Sequence, residues 1–245
     1  AWAIPQSFDA STVLVDLDLA FGTAGLDFNQ DPPQGVADAI FAPDRLDQAL
    51  VDRLLSRCSE NLSLLAAPAI LDKTYDIPEE AMDHLIEILR GLVPTIVMDV
   101  PHVWNAWTKR VIMTSDDILI VATPDLASLR NAKNLIDLCR QTRTHDRQPQ
   151  LMLNQVGVPK RPEIAAAEFA KTFGLELAGT IPFDPQLFGT AANNGQMIAE
   201  VQPNGPIAQH YVKLAASLMG RIEAKKPPRS LIEPLVATLL RRKAS

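Results

Sequence analysis

The sequence predicts an α/β fold: a mostly parallel central sheet with helices on both faces. Three observations predict it. Short apolar, β-rich runs alternate with stretches of helical periodicity along the whole chain. Several of those runs are apolar without a break, as strands buried on both faces must be. The chain has 245 residues and is 47% hydrophobic and 21% charged, enough for one large domain with a sizeable core.

The elements follow in order. Strands are expected near residues 12–17, 62–66, 95–100, 117–123, 150–155 and 177–182. The first reads Thr12-Val-Leu-Val-Asp-Leu17, and the third reads Thr95-Ile-Val-Met-Asp-Val100. A helix is expected to open at Ile77-Pro78-Glu79-Glu80 and to run through Leu85, Ile86 and Leu89, since acids and a proline suit a first turn. A second runs from Leu126 to Cys139, with Leu129, Ala132, Leu135, Ile136 and Cys139 on one face. Glu163 to Phe173 and Pro206 to Met219 supply two more. The segment Glu223-Ala-Lys-Lys-Pro-Pro-Arg229 has linker composition, and Ser230-Leu-Ile-Glu233 is a capping-box pattern. It opens a short amphipathic helix with Leu231, Leu235 and Leu239 on its apolar face, closed by Arg241, Arg242 and Lys243. The expected division is therefore a body of residues 1–222 and a basic tail of residues 223–245.

Composition narrows the function. No apolar run of about 18 residues could cross a membrane. The net charge is −6, unevenly spread: residues 221–245 carry +5 and the remainder −11. An acidic body argues against a broad nucleic-acid surface. A basic tail on an acidic body suggests attachment to a membrane surface or to a partner, the alternative being a terminal helix docked on the body or fraying. Cys58 and Cys139 lie in helix-like stretches without paired spacing, so they read as buried thiols rather than a metal or cluster site. The four histidines are scattered and define no site.

Four motifs carry the chemistry. The first strand runs into Asp16-Leu-Asp18-Leu-Ala-Phe-Gly22 and then Gly25-Leu-Asp27. Carboxylates two apart on a strand face the same way, and the carboxyl end of a parallel strand faces the ligand crevice. Two acids there suit a Mg²⁺–phosphate site and the orientation of an attacking water. Thr95-Ile-Val-Met-Asp99-Val-Pro101 has the form of a Walker B element, whose aspartate holds Mg²⁺ directly or through water. Leu151-Met-Leu-Asn154-Gln155 ends a buried strand in an amide, which offers both a donor and an acceptor to a base edge. Gly179-Thr-Ile-Pro182-Phe-Asp184-Pro185 leads into a proline-constrained loop whose backbone is expected to stay out of the ladder and free to contact a base.

In this order the motifs resemble the MinD/ParA group of P-loop ATPases with a deviant Walker A, a three-layer α/β/α fold. Within it they look most like the pilus-assembly branch named CpaE or TadZ. Val121-Ala-Thr-Pro-Asp125-Leu-Ala-Ser-Leu-Arg130 continues the match, which spans about residues 1–222. The resemblance implies ATP and Mg²⁺ as cofactors. It implies that Asp18 positions the attacking water, that Asp16 supports the metal site, and that Asp99 is the Walker B acid. It implies that Asn154 reads adenine, with Pro182 and Asp184 lining the base. It further implies an ATP-dependent homodimer, with Thr123 to Arg143 near the dimer or partner surface. The function implied is a dimerisation switch that localises pilus-assembly (Flp/Tad-type secretion) machinery, in the cytoplasm or peripherally at the inner membrane or cell pole. Residues 230–243 would be the membrane contact, and no nucleic acid is expected.

The glycine-rich Walker A pattern G-x-x-x-x-G-K-[ST] occurs nowhere in the sequence, in standard or deviant form. The resemblance places that loop, and the central strand leading into it, just before Ala1. A sheet without a central strand exposes unpaired backbone. Residues preceding Ala1 are therefore expected in the natural protein, and ATP hydrolysis is not expected without them. A scaffold of the same fold that no longer hydrolyses is the alternative. A DNA-partitioning ATPase fits poorly with the acidic body. An iron–sulfur reductase fits poorly with the positions of Cys58 and Cys139.

Overall fold

The computed structural model describes residues 1–71 and 74–220. The amphipathic tail helix and the domain boundary near residue 222 lie outside the described residues. The strands are β1 (Thr12–Asp16), β2 (Ser56–Arg57), β3 (Leu62–Leu65), β4 (Thr95–Asp99), β5 (Leu119–Ala122), β6 (Gln150–Val156) and β7 (Gly179–Pro182). The helices are α1 (Ala3–Phe8), α2 (Ala24–Asp27), α3 (Val36–Ile40), α4 (Gln48–Leu54), α5 (Glu79–Leu92), α6 (Ala106–Thr114), α7 (Leu126–Thr142), α8 (Ala166–Phe173), α9 (Pro185–Asn194), α10 (Ile198–Val201) and α11 (Pro206–Leu218).

All six expected strands form, and all but β2 pair in parallel. They fall into two blocks. One has the order β2-β3-β1-β4 and the other the order β5-β6-β7. β2 is antiparallel, only two residues long, and closes the outer edge of the first block. All five residues of β1 are buried, because β3 and β4 flank it and helices cover both faces. Among the described residues, β4 and β5 are each hydrogen-bonded on one side only, and most of their residues are half-buried or exposed. Val121 in β5 is 53% exposed.

The core is divided along the same line. The largest apolar cluster joins Val13 and Val15 of β1 to α3, α4, α5 and Trp107 of α6. A second joins β5 and β6 to Ala132 and Ile136 of α7 and to Phe169 and Phe173 of α8. A third packs Met152 and Ile181 beneath Ile207 and Leu214 of α11. Helix α1 packs on α11, and α2 packs on α9.

Helix ends follow local chemistry. Asp47, Asp125 and Asp184 cap α4, α7 and α9 by accepting N–H groups from Leu50, Ser128 and Leu187. Helix α8 begins at Ala166 rather than at Glu163, because Glu163 is engaged in the preceding loop. Its carboxylate accepts from the N–H groups of Gly157 and Val158 and from Arg161. Cys58 does not sit in a helix: it follows β2 and is half-buried, whereas Cys139 is buried in α7. Burial still pushes the Cys58 thiol up to about 11. Among the described residues no helix is long and apolar enough to cross a membrane.

Candidate functional site

The carboxyl ends of β1 and β4 converge. The two strands pair in register, which sets Asp16 opposite Asp99. A hydrogen bond from Leu17 N–H to the Asp99 carbonyl carries the pairing one step further. Strand β1 ends at Asp16, so Asp16 and Asp18 are not presented as two same-facing residues of one strand. Instead the chain turns, and the two carboxylates take different work. Asp16 is buried at 1% exposure. It accepts the N–H of Asp18 at 3.1 Å and of Ala24 at 3.1 Å, folding the loop back on itself. Asp18 is half-buried and accepts the N–H of Phe21 at 3.0 Å.

Gly22 completes this turn. A Cβ at that position would lie 2.5 Å from both Asp16 carboxylate oxygens and 2.6 Å from Ala67 Cβ, so only glycine fits beside the carboxylate.

The acids feel one another. Burial raises the Asp16 carboxyl above its ordinary value, opposed by the N–H groups of Ala24 and Asp18 and assisted by the charges of Asp99 and Asp18. Burial likewise raises Asp99, with the Asp18 charge adding to it. Asp27, at the end of α2, is raised by burial and by Asp99. This concentration of acid charge fits a divalent cation with oxygen ligands, whose charge would relieve the repulsion. Among the described residues no group of three or more His, Cys, Asp or Glu forms a self-sufficient metal cage. A cation here would take its remaining ligands from phosphate oxygens and water, the usual habit of Mg²⁺.

Asn154 shares a cleft of about 1920 Å³ with Asp99 and Asp27. Strand β6 is irregular between Leu153 and Val156, where it pairs with β7. Gln155 adopts φ 53°, a left-handed conformation, and donates its N–H to Asn154 Oδ1 at 2.8 Å. Arg161 donates to the Gln155 carbonyl and pairs with Glu163, which pins the loop. The Asn154 carbonyl is thus already engaged, and its amide N–H groups are the free half of the side chain. Pro182 and Asp184 do not line this cleft. Contrary to the expectation of a backbone outside the ladder, Pro182 is the last residue of β7 and pairs with Val156, and the Phe183 N–H donates to the Val156 carbonyl. Asp184 is the N-cap of α9. The structure brings together Asp16, Asp18 and Asp99 at the ends of β1 and β4; of the predicted site residues only Asp99 and Asn154 line the cleft, and Asp16, Asp18, Pro182 and Asp184 do not.

At the start of α7, the Thr123 hydroxyl hydrogen-bonds to Asp125 and lies 2.8 Å from Ser128 Oγ. Asp125 is held below its ordinary value by the N–H of Ser128 first and the Thr123 hydroxyl next. Leu126, at the start of α7, is 72% exposed. The sequence places Gly22 and Asp27 in the first motif but assigns neither a role; the structure gives Gly22 the turn beside Asp16 and Asp27 a place in the acid group.

The architecture is a layered α/β/α sheet with ligand-facing strand ends. Its fold is that of the MinD/ParA P-loop ATPases. The chain resembles a ParA-family ATPase from Chlorobium tepidum, with a TM-score of 0.76 and 29% identity over 88% of this chain and 89% of that one. It matches the fold of the septum site-determining protein MinD, complexed with Mg-ADP, from Pyrococcus horikoshii, with a TM-score of 0.74 and 18% identity over 91% and 89% of the two chains. It is 21% identical over 238 residues to an uncharacterised ATP-binding protein of Methanocaldococcus jannaschii, across 96% of this chain and 84% of that relative. No family model matches the chain.

Proposed function

We propose that this chain is the body of an ATP-dependent dimerising switch that localises pilus-assembly (Flp/Tad-type secretion) machinery. The observation that carries the nucleotide part is the convergence of Asp16, Asp18 and Asp99 from two strands paired in register. The relatives are ATP-binding or ATPase proteins by description, and one of them holds Mg-ADP. Asp18 orients the attacking water. Asp16 holds the loop that carries Asp18 and does not itself face substrate. Asp99 sits at the metal side, directly or through water. Bound Mg²⁺ supplies charge neutralisation on the phosphate oxygens. Asn154 turns its amide N–H groups to the base, and Pro182 and Asp184 flank the base only if the β7 end shifts toward the cleft. The partners proposed are a second copy of the chain, the pilus machinery, and a membrane surface met through residues 230–243. The acidic body, at −11, speaks against DNA. The place proposed is the cytoplasm, at the inner membrane or a cell pole.

Hydrolysis needs a phosphate-binding loop, and the 245 residues contain no such pattern. The second reading is a scaffold of the same fold that binds or ignores nucleotide without turning it over; a phosphate loop lacking its lysine would favour it. Measuring ATP affinity and turnover with Mg²⁺ separates the two. The chain of 1–245 is compared with the natural chain extended through a phosphate loop. Binding and turnover by the extended protein alone supports the switch. An extended protein that folds but neither binds nor hydrolyses ATP refutes it.

A further inference from the structure

A second hollow, of about 490 Å³, lies at the amino end of the sheet, the end opposite Asp16 and Asp99. Gln6, Ser7 and Asp9 at the end of α1 line one side, and Ser59, Glu60 and Asn61 between β2 and β3 line the other. We propose that this hollow is the docking site of the chain's own basic linker, residues 221–229.

Two turns build the hollow. Helix α1 stops where Asp9 takes a left-handed conformation, φ 50°, and returns its N–H to the Pro5 carbonyl. The β2–β3 turn closes where the N–H groups of Cys58 and Ser59 both donate to the Leu62 carbonyl. A hydrogen bond of 2.7 Å from Asn61 Nδ2 to Asp9 Oδ1 ties the two turns together. The Asn61 carbonyl accepts the Thr12 N–H at 2.9 Å, which fixes both turns at the head of β1.

Its chemistry calls for a cationic donor. Asp9 and Glu60 are exposed, and among the described residues neither has an ion pair. Arg57 lies beside them but spends its guanidinium on the carbonyls of Ser59 and Glu60, at 3.2 and 3.3 Å. The Ser59 hydroxyl oxygen is buried and has no hydrogen-bond partner among the described residues. A buried hydroxyl left unpaired is unfavourable. Ammonium or guanidinium groups carry both the charge and the N–H donors that these acceptors need.

Position names the occupant. Helix α11 packs on α1, and Met219 at its end lies with Sδ 3.9 Å from the Thr95 hydroxyl. Thr95 pairs with Thr12, and Thr12 pairs with Leu62, the residue after Asn61. Neighbouring strands are about 4.8 Å apart, so the chain leaves α11 roughly 10–15 Å from the hollow. Residues 221–229 carry Arg221, Lys225, Lys226 and Arg229 against Glu223. Nine residues reach up to about 30 Å, so Lys225 and Lys226 come within range with length to spare. Asp117, near the same helix end, is already paired with Arg147 and is no rival. The docking requires neither nucleotide nor any partner of residues 230–243.

The test is carbodiimide cross-linking of residues 1–245, which joins a lysine to a carboxylate only where they touch, read by peptide mass spectrometry. Expected are links from Lys225 or Lys226 to Asp9 or Glu60 within one molecule. Their yield should fall about fivefold when salt is raised to about 1 M, since exposed ion pairs are that weak and that easily screened. Absent links, links spread evenly over exposed acids such as Asp52 and Glu80, or a yield indifferent to salt overturn the proposal. Links found only between molecules, in a mixture of heavy-isotope and ordinary protein, give the hollow to a second copy and overturn it. A yield that vanishes on deleting residues 230–245 gives it to the tail helix and also overturns it; an unchanged yield separates this docking from the membrane contact. As a second variant, Glu60→Lys combined with Lys225→Glu and Lys226→Glu reverses the charges. It should restore a link between position 60 and positions 225–226, and failure to do so in a folded protein counts against the docking.

Discussion

Replacing glycine with alanine at two positions should shift stability in opposite directions. At Gly22 the new methyl would meet the Asp16 carboxylate oxygens at 2.5 Å and Ala67 Cβ at 2.6 Å, about 1 Å inside ordinary contact. The carboxylate cannot simply swing away, because it holds the N–H groups of Asp18 and Ala24. Overpacking of this kind costs about 1–3 kcal/mol. A protein of this size loses roughly 2–4 °C in Tm per kcal/mol, so Gly22→Ala should melt roughly 2–12 °C lower. Gly91 lies exposed in the last turn of α5, and a methyl added there would meet nothing within 4 Å. At that position Gly→Ala restricts the unfolded chain and favours the helix, a gain of about 0.5–1 kcal/mol. Thermal melts by circular dichroism on both variants read the contrast directly. Gly22→Ala melting at the wild-type temperature, or both variants moving the same way, would refute the packing argument around Asp16.

Four further outcomes are expected. In a chain competent for ATP, Asp18→Ala should abolish turnover and keep nucleotide binding; unchanged turnover removes Asp18 from the reaction. Arg143→Met should destabilise by about 1–3 kcal/mol in urea melts. The buried guanidinium donates to the carbonyls of the half-buried Ile112 at 2.7 Å and of the exposed Asp116 at 3.2 Å, and only the first acceptor is left without ready access to water. A pH series of the same melts reports on His210, which burial first and Lys213 second hold below its ordinary value. The unfolded chain then takes the proton first, so stability should fall as pH drops below about 6.5 and level off beneath the folded value; His210→Leu should flatten that slope. Deleting residues 230–245 should release the protein from membranes or from its polar partner, and unchanged localisation in fluorescence images would sever the tail from attachment.

What the sequence revealed follows from periodicity. The apolar runs of β1, β4 and β6 are unbroken and bounded by turn residues, so their existence and parallel pairing were readable. The long helices α5 and α7 carry clear amphipathic faces and formed near the expected bounds. The small helices were not readable. α2, α3 and α10 have four or five residues each and owe their form to packing rather than to pattern. β2 has two residues and is defined only by its pairing to β3. At the site, residue types at strand ends gave the acids, but not their division of labour. The inward turn of Asp16 depends on Gly22 and Ala24, six and eight positions on, and strand periodicity stops at Asp16 itself. Pro182 suggests a loop from sequence because proline donates no N–H. It needs none as the last residue of a strand, where Phe183 makes the next bond to β6.

The divided core has a consequence for how the chain comes apart. Val13, Leu85 and Trp107 belong to one apolar cluster, and Ile136, Leu153 and Phe169 to another. Among the described residues, links between them include α1 on α11, α2 on α9, the Arg143 guanidinium on the Ile112 and Asp116 carbonyls, the Thr142 hydroxyl 3.1 Å from Met113 Sδ, and a Thr95 hydroxyl 3.9 Å from Met219 Sδ. Cooperativity requires that losing one cluster expose enough of the other to bring it down as well. Cutting the Arg143 link should separate the melting of the β5–β7 half from that of the β1–β4 half. Any segment that bonds to both halves would merge the two transitions into one, making the sharpness of the transition a gauge of how fully the two halves are joined.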